Sequence, residues 1–178
     1  SNNFNKKMTL SQEDQLNRLI NFLFSFSRKC ELIFQNYSVK NLSDKHDLGD
    51  YYKNCTNYLN SLVEKCKNYQ IKNGGHVKII PTRKPEILED EFKGTRLKSL
   101  NYINDEIKIY DSLLNEIYDY SNKAENEFKE FKEFLTKELI LPLNNWKQNT
   151  QETTAKFNKI FNHKNQKELS DFDEKKIF

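Results

Sequence analysis

Apolar residues recur at spacings of three and four along four long stretches of the chain. The first stripe is Leu16, Leu19, Leu23, Phe26, Cys30, Ile33 and Tyr37, and the second is Leu48, Tyr52, Cys55, Leu59, Leu62, Cys66 and Tyr69. The third, on a helix beginning near Phe92, is Leu100, Ile103, Ile107, Tyr110, Leu114 and Ile117, flanked by Tyr102, Glu106, Ile109 and Leu113. The fourth is Phe128, Phe131, Leu135, Leu139, Trp146, Thr150, Thr153, Phe157 and Ile160. This period keeps all members of a stripe on one face of an α-helix, so four amphipathic helices are expected around a shared core. Ser11, with Asp14 three residues on, is the expected N-cap of the first helix. Pro142 falls inside the fourth pattern and is expected to kink or break it, because proline has no N–H and crowds the preceding turn.

Two links between these stretches are short and polar, Asn36–Lys45 and Ser121–Asn126, and short links make antiparallel neighbours. The link over 73–91 is different. It holds two of the four glycines and two of the three prolines, and Gly74 and Gly75 stop the helix before it. So long a connection in a small domain usually has a topological or functional task. A dozen extended residues span a bundle, so the expectation is a crossover that makes helices two and three parallel. The domain organisation that follows is a mobile N-terminal arm over 1–10, a four-helix bundle over 11–162 with its crossover loop at 73–91, and a short C-terminal helix over 163–178 marked by Leu169, Phe172 and Ile177.

Composition narrows the function classes. The chain is 31% charged, yet Phe (13) and Tyr (9) are plentiful, so it can build a core. Its 29 basic and 26 acidic residues nearly balance, which gives no case for nucleic acid. No apolar run approaches membrane-spanning length, and the polar start does not resemble a signal peptide. Cys30, Cys55 and Cys66 have no framework spacing and are expected to be reduced core thiols, in a cytoplasmic setting.

Asn73-Gly-Gly-His-Val77 followed by Thr82-Arg-Lys-Pro85 resembles the ferritin loop between helices B and C, at the same Gly-Gly to Pro spacing. Glu64-Lys65, Gln70, Phe92, Ser112-Leu113-Leu114, Asn17-Arg18, Ile20-Asn21 and Phe172-Asp173 fall collinearly on ferritin positions over nearly the whole chain. The resemblance implies an all-α, ferritin-like four-helix bundle with one long crossover and a short fifth helix. Gly74, Gly75, His76, Val77 and Pro85 would then belong to a loop at a subunit interface.

Catalytic ferritins oxidise Fe(II) at a di-iron site of inward carboxylates and a Glu-x-x-His pair. Carried over position by position, the helix A glutamate falls on Leu23, the helix B glutamate on Leu59, the histidine on Leu62 and the nearby tyrosine on Cys30. The helix D glutamine falls within Ile140–Leu143, and only the helix C glutamate survives, as Glu106. Leu23, Leu59 and Leu62 also lie on the apolar stripes. The implied subunit is therefore no enzyme and holds no di-iron cofactor. It is light-chain-like and structural, joining itself or active subunits in a 24-mer shell, with iron mineral only through co-assembly. Glu64 alone remains on the face where light chains carry nucleating carboxylates; Glu106 and Glu64 are the residual metal candidates. The simplest role for Glu106 is as a polar residue at the stripe's edge, or one bonded to a tyrosine.

A second resemblance covers Glu138–Trp146, with its Pro142-Leu143, then Lys156-Phe157 and Asp171–Lys176. These are similar to the kink and the Lys-rich tract of BAR domains, which are elongated helical dimers that bind curved anionic membranes. The Gly/Pro interruption at 73–91 argues against it, since a continuous BAR helix would not tolerate one.

Overall fold

The structure is a computed structural model that describes residues 8–40, 49–79, 96–122 and 129–163. The chain is all-α: α1 spans Leu10–Lys40, α2 Gly49–Lys72 and α3 Arg96–Asn122. A fourth rod begins as α4, Lys129–Phe134, passes through a π-helical turn at Leu135–Ile140, and continues as α5, Leu141–His163.

The first helix starts earlier than its sequence suggests. Thr9, not Ser11, is the cap: its hydroxyl accepts the Gln12 N–H at 3.1 Å, and Gln12 Oε1 accepts the Thr9 N–H at 2.9 Å. That reciprocal pair is a capping box, which satisfies two donors at the helix end. Met8, within the expected mobile arm, is buried in the core. At its other end α1 runs on to Lys40, through residues expected to form a loop. They are polar but include no glycine or proline, and polarity alone does not stop a helix.

α2 ends in a Schellman turn. The Gly75 N–H bonds to the Gln70 carbonyl at 2.8 Å and the Gly74 N–H to that of Ile71 at 3.1 Å. The two glycines serve different needs. Gly74 has φ of 81°, in the left-handed region. At Gly75 the constraint is space: a Cβ would lie 3.0 Å from Gln70 Cγ and 3.3 Å from Met8 Sδ. Gly74→Ala should therefore lower stability by about 1–2 kcal/mol in urea titrations; an unchanged midpoint would mean that this turn does not hold the helix end.

Pro142 neither breaks nor ends the fourth rod. The Leu141 N–H bonds to the carbonyl of Thr136, five residues back, and the backbone stays helical on both sides. The wider turn absorbs the ring that an α-helix would drive into the turn before it. It also corrects a phase. Phe131, Leu135, Leu139 and Leu143 are all buried and repeat every four residues. In an α-helix each such step overshoots a full turn by about 40°. The extra residue in the π turn brings the stripe back to the core.

Side-chain contacts fix the helix directions. Ser27 on α1 bonds Asn60 on α2, while Asn17 bonds the backbone of His76 just beyond α2. α1 meets α3 through Ser11–Tyr120, Arg18–Glu116 and Lys29–Glu106. α1 is thus antiparallel to both, which makes α2 and α3 parallel. The fourth rod is antiparallel to α2, with Tyr69 stacked on Phe134 at 4.1 Å and the Tyr51 hydroxyl bonded to Thr150 at 3.0 Å. It is also antiparallel to α3, through Asp111–Lys147 and Asn104–Thr154. α2 therefore ends, and α3 begins, at opposite ends of the bundle.

The four stripes meet in one core, in which Leu16, Phe26, Tyr52 and Tyr110 are fully buried. Ile109, on the flanking stripe of α3, does not reach it and is 51% exposed. Pro85, Phe92 and most of the C-terminal segment lie outside the described residues.

Candidate functional site

Most of the positions that the ferritin resemblance assigns to a di-iron centre are buried in the bundle core. Leu23 on α1 and Leu59 and Leu62 on α2 are fully buried. Of the helix D equivalents, Leu143 is buried and Leu141 is 55% exposed. Among the described residues no three His, Cys, Asp or Glu side chains gather to hold a metal ion.

Glu106 is inside, as its stripe implies, but its partner is not a tyrosine. The Lys29 ammonium lies 3.3 Å from Glu106 Oε1, with the two side chains only 12% and 10% exposed. The same ammonium sits 5.6 Å from the centre of the Tyr102 ring. Lysine carries its charge on a long stem that can cross from the edge of an apolar face to a buried carboxylate. The pair bridges α1 and α3 and gives the Glu106 carboxylate a cationic partner inside the bundle. Glu64 lies on the outside of α2, 64% exposed and ion-paired with Lys67 at 3.5 Å.

The thiols are quiet. Burial pushes the Cys30 thiol well up, reinforced by the charges of Cys55 and Glu106 and opposed by that of Lys29. Burial also takes Cys55 and Cys66 up to about 12. All three are therefore protonated at neutral pH, and a protonated thiol is neither a good nucleophile nor a metal ligand. The hydroxyls of Tyr58 and Tyr110 are buried without a partner among the described residues, and desolvation raises both.

A second constellation was not foreseen as a unit. Just past the Schellman turn, residues 76–79 lie along α1. The His76 N–H donates to Glu13 Oε1 at 2.6 Å. Asn17 Nδ2 donates to the His76 carbonyl at 2.9 Å while its Oδ1 accepts the Lys78 N–H at 2.8 Å. Asn21 Nδ2 then donates to the Lys78 carbonyl at 2.8 Å, and Gln70 adds a second donor to the His76 carbonyl. The geometry is a match of two periods. Four residues of α-helix rise about 6 Å, and two residues of extended chain advance about 6.6 Å. Glu13, Asn17 and Asn21 therefore meet alternate residues of the strap, as a neighbouring strand would. The sequence held the signal: Glu, Asn and Asn at i, i+4 and i+8, one step off the Leu16–Leu19–Leu23 stripe.

Of the residues expected at a subunit-interface loop, Gly74 and Gly75 form the turn, His76 is exposed and Val77 is half-buried. Among the described residues no helix is long and apolar enough to cross a membrane. No protein-family model matches the chain, and no curated protein matches it.

Proposed function

We propose that the chain is a non-catalytic, ferritin-like subunit that acts by assembly, as a structural member of a protein cage. One observation carries this reading: α1 and the fourth rod run one way, α2 and α3 the other, which are the directions that a long crossover between α2 and α3 requires. A single long crossover is the ferritin connectivity among four-helix bundles. The leucines at 23, 59 and 62 and the Lys29–Glu106 pair support a structural role, since hard metal ions need several oxygen ligands. Iron would enter such a shell only as cargo, through co-assembly with active subunits.

Native mass spectrometry of the full chain tests the reading. The expected species is a large closed shell; a dimer, twice the 21.4 kDa chain, would remove the cage. Fe(II) oxidation by the pure protein should lack a fast phase, and a fast phase abolished by Glu106→Ala would overturn the structural role. One feature favours the BAR-like alternative: the fourth rod is continuous through Pro142 from Lys129 to His163. A dimer that co-sediments with anionic liposomes, and loses them in high salt, would select that reading instead.

A further inference from the structure

We propose that the groove between the first half of α2 and α5 binds a small planar anion of the nucleoside monophosphate class. This proposal is independent of the cage reading. The groove encloses a cavity of about 620 Å³, within the range of small-molecule sites. α2 contributes Tyr51, Asn54 and Tyr58, and α5 contributes Asn145, Trp146, Asn149 and Lys156. Tyr51, Asn54 and Tyr58 recur at three and four residues, as do Trp146, Asn149, Thr153 and Lys156, so each set lies along one helix face.

The aromatic side of the groove is held in place. Trp146 packs against Tyr58 at 5.0 Å and against Phe26 at 5.8 Å, and the Tyr51 hydroxyl is anchored on Thr150. A wall fixed before binding costs no ordering when a flat ring arrives. The polar groups, by contrast, are largely unspent. Asn149 accepts one long bond from Thr153 at 3.4 Å. Asn54 and Asn145 bond to no other described residue, and the Tyr58 hydroxyl is buried without a partner. A carboxamide offers a donor pair beside an acceptor, the pattern that matches the edge of a nucleobase.

Charge selects the rest of the ligand. Lys156 makes no ion pair with a described residue, and no carboxylate is among the described residues that line the groove. One uncompensated ammonium suits one anionic group, hence a monophosphate. The π turn ending beside Pro142 lies at the groove's other end, and such turns often mark functional sites in helices.

Trp146 is the only tryptophan in the chain, so its emission reports on this groove alone. The full chain should be titrated with adenosine and guanosine monophosphates, adenosine, inorganic phosphate and a linear glucose trisaccharide, with excitation beyond the absorption of the bases. Saturable quenching by the monophosphates is expected, and much weaker effects from phosphate or the sugar. Lys156→Gln should weaken monophosphate binding by about tenfold, the size of one lost contact, and leave adenosine unchanged. Asn145→Ala should weaken both. Both positions are exposed, and circular dichroism checks that the variants fold. No saturable change up to about 10 mM, which covers even weak ligands, would overturn the proposal. So would a response to the sugar alone, or affinity indifferent to Lys156 and Asn145.

Discussion

Replacing Lys29 by methionine is expected to cost about 3–5 kcal/mol of folding free energy. The ammonium is the counter-charge of Glu106, 3.3 Å away, and both side chains are nearly removed from water. Methionine fills the stem's volume but leaves a carboxylate buried alone. The pair itself is a different quantity, since bringing both charges out of water offsets most of their attraction. The double variant Lys29→Met with Glu106→Leu should therefore recover most of the loss and could exceed the natural chain. Urea titrations of the four proteins form a double-mutant cycle. If the losses simply add, the two groups do not form a buried pair.

Alkaline pH is expected to produce the second large effect. Burial raises the Cys55 and Cys66 thiols from 9.0 to about 12 on folding, and Cys30 also rises. In the unfolded chain these thiols lose their protons near pH 9; in the folded chain they keep them. The folded state then binds more protons, so stability is fully present below pH 9 and falls as pH rises toward 12. Each thiol contributes a slope of about 1.4 kcal/mol per pH unit across that window. The urea midpoint, followed from pH 7 to 11, should be flat at first and then drop steeply. Cys55→Ala with Cys66→Ala should flatten the drop, at some cost at pH 7 from the small cavities left behind. A wild-type midpoint constant to pH 11 would mean that the thiols reach solvent.

The four helices were legible because leucine, phenylalanine and tyrosine sit at a helical period and glycines stop α2. The end of α2 was legible too, because Gly74 and Gly75 interrupt that period. What escaped depended on partners distant in sequence. Glu106 was seen to face inward, but its ion pair is with Lys29, 77 residues away. Ile109 matched a stripe that the neighbouring helices do not cover. The cap at Thr9 was missed because Ser11 and Asp14 offer the same local chemistry two residues later. The π turn could have been inferred from Phe131, Leu135, Leu139 and Leu143, a sustained spacing of four that no straight α-helix keeps on one face. The aromatic groove was invisible, because Tyr51 and Tyr58 meet Trp146 only when α2 and α5 pack.

The hold of α1 on residues 76–79 sets which substitutions the strap can survive. Glu13, Asn17 and Asn21 grip N–H and C=O groups, which every residue but proline supplies alike. The identities at Val77 and Lys78 are thus nearly neutral to the grip, while proline at 76 or 78 removes a donor that α1 has already matched. Asn17 is the opposite case. Its one carboxamide gives its nitrogen to His76 and its oxygen to Lys78, so aspartate turns a donor into a repelling oxygen, and leucine leaves the Lys78 N–H bare and the His76 carbonyl with Gln70 alone. Drift is cheap along the strap and blocked on the helix beneath it. A library of variants would show tolerance concentrated on the side of this contact that looks most like a motif.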